Sequence, residues 1–107
     1  MQDLVKGNTT TIILALLKSE PMYGYQIVKE LNERHMDVMQ MNQGTIYPLL
    51  HSLERQDLVA SEVKKAGKLR TRKYYRLTAS GEKALTGSIR QWRSFSSALD
   101  SLIGRPA

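Results

Sequence analysis

Residues 42 to 77 constrain the fold of this chain more than any other stretch. They combine one strongly patterned helical segment with two short β-type runs that are joined by a basic turn. Four apolar residues of the helical segment recur at positions i, i+3, i+4 and i+7, which places them on one helix face. These are Ile46, Leu49, Leu50 and Leu53. The pattern predicts a helix that buries this face in a core and leaves Gly44, Pro48, His51, Ser52 and Arg55 on the other side.

The two β-type runs predict a hairpin. Residues 59–63 alternate in the way that half-buried strands do, residues 73–77 return with the same alternation, and Gly67 lies in the turn between them. Residues 64–76 contain seven basic side chains and no acidic one. A helix followed by a basic hairpin predicts a winged helix-turn-helix.

The charge of the chain is concentrated in its second part. Residues 1–62 have 5 Lys and Arg against 8 Asp and Glu, a net charge of −3, and residues 63–107 have 11 against 2, a net charge of +9. A local basic surface beside a helix that fits a groove is typical of nucleic-acid binding, because neutralised phosphates release counterions. Charge alone would also suit an ordinary solvated surface.

Three helices are predicted before the hairpin. The first is capped within Asn8-Thr9-Thr10 and extends to about Lys18, and the second spans Tyr23 to Arg34. The third starts at about Gln43 with Asn42 as its cap and a first turn distorted by Pro48, which lacks a backbone donor. A connector over residues 36–42 holds three Met, which we interpret as gap-filling core side chains rather than a ligand-facing surface.

A fourth helix is predicted after the capping residues at 78–82. Its apolar residues repeat with heptad spacing and form a stripe too long for so small a domain to cover. The stripe consists of Leu85, Ile89, Trp92, Phe95, Leu99, Leu102 and Ile103. It would pack either on the first helix or, as we expect, on a second copy of the chain. The predicted organisation is therefore a winged helix-turn-helix domain over residues 1–78 and a dimerisation helix over residues 79–107.

Length and composition narrow the classes of function. The chain of 107 residues fits one small domain, for which dimerisation would add buried surface. It contains no Cys, its longest apolar run, 12–17, is too short for a membrane span, and no secretory signal is evident, so we expect a soluble cytoplasmic protein. Neither catalytic motifs nor a metal-ligand pattern occur, and we expect no enzyme activity, no cofactor and no metal.

Three motifs, in this order, resemble the PadR family of bacterial transcriptional regulators. They are PMYGYQI at 21–27, GTIYPLL at 44–50 followed by Leu53-Glu54, and RKYYRLT at 72–78 followed by Gly81. The resemblance covers roughly residues 6 to 103. The single C-terminal helix with a central Trp is similar to the smaller subgroup of the family, which includes the lactococcal multidrug-binding regulator.

The resemblance implies a homodimeric repressor that binds a double-stranded DNA operator with two-fold symmetry. The family's recognition-helix positions fall on Gln43, Thr45, Tyr47, Pro48 and His51, and its wing positions fall on Lys68, Arg70, Arg72 and Lys73. In the drug-binding subgroup, the Trp of the last helix stacks on flat aromatic ligands at the dimer axis. The matching residue is Trp92, which would bind a planar aromatic effector or serve only as an anchor of the dimer.

Two other classes of binding protein stay open from the residues alone. A winged helix can serve as a protein-interaction module without touching nucleic acid, although the basic hairpin favours contact with phosphates. RNA binding is the weaker alternative, because the chain lacks the aromatic sheet signature of common RNA modules, and a helix with a small exposed face fits a B-form major groove.

Overall fold

The computed structural model of the protein describes residues 8–34 and 42–104. This part of the chain forms α1 (Thr9–Leu17), β1 (Met22–Tyr23), α2 (Gly24–Glu33), α3 (Gln43–Arg55), β2 (Val59–Lys65), β3 (Thr71–Leu77) and α4 (Ala79–Ile103). The strands form one antiparallel sheet in the order β1-β3-β2. Residues 36–41 of the predicted methionine connector lie outside the described residues.

The first two helices begin close to their predicted positions. The backbone N–H of Ile12 donates to the carbonyl of Asn8 at 3.0 Å and closes the first turn of α1. The N-cap residue is Asn8, which lies within the predicted segment 8–10, but its side chain makes no capping hydrogen bond. The second helix was predicted from Tyr23, but it begins at Gly24, because Tyr23 belongs to β1 and pairs with β3.

The third helix begins at Gln43 with the predicted cap. The side-chain oxygen of Asn42 accepts a hydrogen bond from the backbone N–H of Thr45 at 3.2 Å, which satisfies one donor of the first turn. The chain then stays α-helical through Pro48, so the predicted distortion of the first turn does not occur. Pro48 removes the donor for the carbonyl of Gly44, and Gly44 is exposed, where water can take the place of that donor.

The end of α3 is a tight backbone cap. Asp57 has a positive φ of 60°, an unusual conformation for a residue other than glycine. The N–H of Leu58 donates to the carbonyl of Leu53 and the N–H of Asp57 donates to that of Glu54, each at 3.0 Å. This pair of bonds is the Schellman motif, and it turns the chain directly from α3 into β2.

Both strands of the predicted hairpin are present and extend two residues further toward the turn. Lys64 lies opposite Arg72 and Ser61 lies opposite Tyr75. The third strand, β1, was not predicted: Met22 lies opposite Tyr75 and extends the sheet on the other edge of β3.

The core lies where α1, α2 and α3 meet the sheet and the first turns of α4. It consists of Ile13, Leu14, Leu16, Leu17, Met22, Ile27, Val28, Leu31, Ile46, Leu50, Leu53, Val59, Tyr75 and Leu85. Leu85 is only 2% exposed and packs within its own chain, so its prediction as a dimer contact is wrong. Burial of each Leu- or Ile-sized side chain stabilises the fold by roughly 1.5–3 kcal/mol.

The fourth helix is anchored to the end of α3 by Thr78. The Thr78 side-chain oxygen accepts a hydrogen bond from the N–H of Gly81 at 2.9 Å, which is the predicted N-cap. The same hydroxyl donates to the carbonyl of Asp57 at 2.5 Å, and the Thr78 N–H donates to the carbonyl of Leu58 at 3.2 Å. The fold is thus a mostly α winged helix-turn-helix, with β2 and β3 as the wing and a long fourth helix.

Candidate nucleic-acid interface

The outward face of α3 presents four of the five residues predicted for the recognition helix. Gln43, Thr45, Pro48 and His51 are all exposed. The opposite face of the helix is fully buried, because Ile46, Leu50 and Leu53 have no exposed surface. The core therefore fixes the rotation of α3 about its axis and leaves one continuous polar face toward solvent.

Tyr47, the fifth predicted residue, lies at the boundary between these two faces. Its side chain is partly buried and packs against the core. The ring lies directly on Gly24, where an added Cβ would come within 2.2 Å of the Tyr47 Cε1 atom. Gly24 therefore allows the α2 backbone to approach α3 closely, and the Tyr47 ring is held at the edge of the exposed face.

The tip of the wing carries two of the predicted basic residues. Lys68 and Arg70 are exposed beside Leu69, which is 99% exposed. Gly67 has a φ of 116°, which an L-residue with a side chain rarely adopts, and the N–H of Ala66 donates to the carbonyl of Arg70 at 2.9 Å. The wing thus projects its charges away from the core.

The face of the sheet that carries Tyr74 holds an alternating set of cations and aromatic rings. The Arg72 guanidinium lies 4.3 Å from the centre of the Tyr23 ring, and the Lys64 ammonium lies 5.4 Å from that of Tyr74. The two Tyr rings meet edge to face with their centres 5.4 Å apart. These contacts were not predicted from the sequence, because they form only when the pairing of β1 with β3 brings Tyr23 beside residues about fifty positions away in the chain.

Lys73, the neighbour of Arg72, is directed to the other side of β3. Its Nζ lies 3.3 Å from a carboxylate oxygen of Glu54 in α3, and the Ser61 hydroxyl donates to the second oxygen of that carboxylate. The hydrogen bond from Ser61 and the contact with Lys73 lower the pKa of Glu54, and the hydrogen bond to Glu54 raises the pKa of Lys73. Lys73 was predicted to contact DNA, but in the structure it joins the wing to α3.

A cleft of about 310 Å³ lies between α2, α3 and β3. It brings together four of the nine residues predicted for nucleic-acid contact, which are Tyr47, His51, Arg72 and Lys73. The other lining residues were not predicted and are Tyr23, Gly24, Tyr25 and Tyr75. Gln43 and Thr45 lie nearer the start of α3, and Lys68 and Arg70 lie at the wing tip, so neither pair lines the cleft.

The second half of α4 carries an exposed apolar stripe, which comprises Trp92, Phe95, Leu99, Leu102 and Ile103. The Trp92 and Phe95 rings are in contact, with their centres 6.3 Å apart. On the other side of the helix, an open groove of about 920 Å³ is lined by Lys18, Ile89, Arg90 and Arg93 together with small and hydroxyl side chains. Trp92 is not among the residues that line this groove. In a single copy of the chain, Trp92 therefore belongs to a half-exposed surface outside the groove.

These features define a class of protein, the winged helix-turn-helix regulators, and comparison with known proteins gives the family. Residues 13–87 match the family described as transcriptional regulator PadR-like. The chain belongs to this family of transcriptional regulators. No helix within residues 8–34 and 42–104 is long and apolar enough to cross a membrane.

Three relatives illustrate the similarity. An uncharacterised protein of Lysinibacillus sphaericus is 30% identical over 101 residues, which are 92% of this chain and 90% of that protein. A PadR family regulator of Eggerthella lenta is 34% identical with a TM-score of 0.82, and the match covers 97% of this chain and 88% of that one. Bacillus subtilis PadR in complex with operator DNA is 26% identical with a TM-score of 0.71, over 76% of this chain and 45% of that one.

Proposed function

We propose that the protein is a sequence-specific DNA-binding repressor that acts in the cytoplasm as a homodimer on an inverted repeat. One observation carries the proposal: the exposed face of α3 and the basic wing lie side by side, with the cleft between them. An α-helix with such a face fits the major groove of B-form DNA, and the wing can follow the neighbouring backbone. The operator complex of the similar Bacillus subtilis protein supports this assignment.

The side chains of α3 and of the wing suit them to contact different parts of DNA. Gln43, Thr45 and His51 present hydrogen-bonding groups at the surface of α3, where they would contact base edges. Lys68 and Arg70 are exposed cations on a hairpin, where they would contact phosphates, which position the protein without specifying sequence. Lys73 is left out of the proposed interface because it is paired with Glu54.

The exposed stripe of α4 supports the homodimer. Five large apolar side chains stay exposed along one side of the helix, from Leu99 at 44% to Leu102 at 84%. A second copy of the same helix would cover them and would place two α3 helices about one helical turn of DNA apart, as a two-fold symmetric site requires.

We further propose that a planar aromatic effector binds at Trp92 and releases the repressor from DNA. The indole is half-exposed and is in contact with Phe95, so a flat molecule could stack on it at the dimer axis. Such a ligand changes DNA binding only if it has different affinities for the bound and the free arrangement of the dimer.

Selection from random duplexes tests the central proposal. The purified protein should enrich an inverted repeat with half-sites about one helical turn apart, and its affinity should fall steeply with rising salt. The double variant Arg70→Gln/Arg72→Gln should bind all duplexes more weakly and should flatten the salt dependence while it still selects the same sequence. Failure to enrich any duplex at low salt would contradict DNA binding and would favour a protein-interaction module.

A further inference from the structure

Three cations of the wing lie over aromatic rings within the described residues, and Arg72 lies nearest to its ring. Its guanidinium lies 4.3 Å from the centre of the Tyr23 ring. Among the described residues, none of the ion pairs involves Arg72, whereas Lys73 is paired with Glu54. Stacking on a ring uses the flat face of a guanidinium and leaves the N–H donors at its edge available to a planar or tetrahedral oxyanion.

Tyr23 is itself fixed by the sheet. It lies opposite Tyr74 in the pairing of β1 with β3, and its ring meets the Tyr74 ring edge to face at an angle of 77°. The platform under Arg72 is therefore held in place by the sheet, although Tyr23 lies outside both α3 and the hairpin. An arginine that is ordered before it binds loses less conformational entropy when it contacts a phosphate.

Arg72 and Tyr23 both line the cleft between α3 and the wing. Tyr47 and His51 of α3 line the same cleft and add a phenol and an imidazole to the guanidinium. A cationic edge, hydroxyl donors and an imidazole around a small opening suit a single phosphate group. Because the cleft lies between the element proposed to enter the groove and the wing beside it, the backbone of bound DNA would pass over it.

We propose that this cleft is the subsite for one backbone phosphate of bound DNA, that Arg72 grips this phosphate, and that Tyr23 is the positioning residue for Arg72. The inference rests on the proposed DNA-binding function. Tyr23 thereby becomes a determinant of DNA affinity, and the aromatic residues of the motif at 21–27 acquire a role beyond packing.

A double-mutant cycle on binding to a random-sequence duplex tests the link between the two residues. Arg72→Gln should lower affinity roughly tenfold and reduce the salt slope by about one per protomer. Tyr23→Leu should lower affinity roughly threefold to fivefold through the lost cation–π contact. The double variant should bind no more weakly than Arg72→Gln alone, because Tyr23 acts only through Arg72.

Matched variants separate this role from a general effect on folding. Tyr23→Phe keeps the ring and should bind like the wild type, and Arg72→Lys keeps the charge but loses the flat stacking and should bind severalfold more weakly. Arg76 lies on the same sheet face and has no aromatic partner within the described residues, so Arg76→Gln should add fully to Tyr23→Leu. If Tyr23→Leu and Arg72→Gln also add fully, or if Arg72→Lys keeps wild-type affinity, the positioning role is refuted.

Neutral methylphosphonate linkages locate the phosphate on the selected duplex. One backbone position per half-site should weaken wild-type binding when neutralised but have no further effect on Arg72→Gln. Inorganic phosphate at constant ionic strength should compete no better than sulfate, because the site is built for a phosphate held in place by the duplex. Specific competition by inorganic phosphate, lost in Arg72→Gln, would instead show a free-anion site, and a wild-type protein that binds no duplex would refute the proposed function itself.

Discussion

Two glycines of α4 show how one residue type can be required at one position and merely tolerated at another. A Cβ on Gly81 would lie 2.0 Å from the backbone carbonyl oxygen of Leu58, which is held in place by the hydrogen bond from Thr78. Within the described residues, a Cβ on Gly87 would have no atom within 4 Å apart from its chain neighbours and the nearby backbone of its own helix. The first glycine permits the close approach of α4 to the end of α3, and the second only weakens the helix.

Replacement of the two glycines by alanine should therefore have opposite effects. Gly81→Ala should destabilise the fold by about 1–3 kcal/mol, because the clash with backbone outweighs the gain in helix propensity. Gly87→Ala should raise the free energy of unfolding by up to about 1 kcal/mol. Urea unfolding of both variants measures this difference, and a stabilised Gly81→Ala protein would contradict the close contact.

The ion pair between Glu54 and Lys73 should contribute a pH-dependent part of the stability. The pKa of Glu54 is lowered, chiefly by the Ser61 hydrogen bond, so its contribution is complete above the ordinary value of 4.5 and is lost as the pH falls through the lowered pKa. The pKa of Lys73 is raised by Glu54, so its contribution is complete below 10.5 and is lost as the pH rises through the raised pKa. The pair therefore stabilises the fold most across the neutral range.

Substitution of Glu54 measures that contribution. Glu54→Gln should lower the free energy of unfolding at neutral pH by about 0.2–1 kcal/mol, a small value because both side chains are more than a third exposed to water. As the pH falls through the lowered pKa of Glu54, the difference in stability between the variant and the wild type should disappear. Glu62→Gln, which removes the same charge from an exposed position of β2, serves as the control and should change stability less at neutral pH.

At the level of elements, the features that depend on residues close in sequence were predicted correctly. The apolar spacing of Ile46, Leu50 and Leu53 predicted the buried face of α3, and Asn42 predicted where this helix begins. The basic turn predicted the wing. β1 was missed because two residues carry no periodicity and form a strand only when α2 brings them beside β3. For the same reason, the contacts of Tyr23 with Arg72 and of Glu54 with Lys73 were not predicted, because the partners are distant in the chain.

The heptad pattern predicted α4 as one helix, but it did not show which part of the helix packs on the core and which part stays exposed. Leu85 is buried in the core, and Ile89 is partly buried against it, whereas every large apolar residue from Trp92 onward is exposed. Spacing alone assigns all of these to one stripe. Only the contact of the first turns with α1 and the sheet shows where intramolecular packing stops.

A charge in the second half of α4 should disrupt assembly without unfolding the domain. Leu99→Glu places an unpaired carboxylate in the proposed apolar interface, so the protein should become monomeric, as sedimentation would show. Its circular dichroism should stay helical, because Leu99 is 44% exposed in the single chain. Ser97→Glu, in the groove on the other side of α4, is the control and should remain dimeric. A dimeric Leu99→Glu protein would contradict the proposed interface.

The whole molecule is elongated. Its principal extents are 59, 29 and 22 Å and its radius of gyration is 15.8 Å, whereas a compact domain of this length has about 13 Å. The excess reflects α4, whose 25 residues extend for about 37 Å. The exposed apolar stripe lies on the part of α4 that leaves the core, so the shape of the single chain fits the proposed pairing of two such helices.

The fluorescence of Trp92 can be used to test whether the proposed pairing of two α4 helices also forms a ligand site. It is the only Trp in the chain, so planar aromatic dyes and aromatic acids that stack on it should quench its fluorescence. Trp92→Ala should lose this binding but keep its affinity for the selected duplex within a small factor. If none of these compounds quenches the emission, or if the variant becomes monomeric, Trp92 is an anchor of the dimer and not a ligand site.

The hydrogen bonds of Thr78 couple the orientation of α4 to that of α3. Because Thr78 joins the turn that follows α3 to the first turn of α4, we expect a rotation of α4 to be transmitted to α3. Over its length of about 37 Å, a pivot of about 5° at the far end moves the near end by about 3 Å. That is close to the rise of about 3.4 Å between successive nucleotides of one DNA strand, so in the proposed dimer a small change of angle at the two-fold axis would shift the two α3 helices relative to their half-sites.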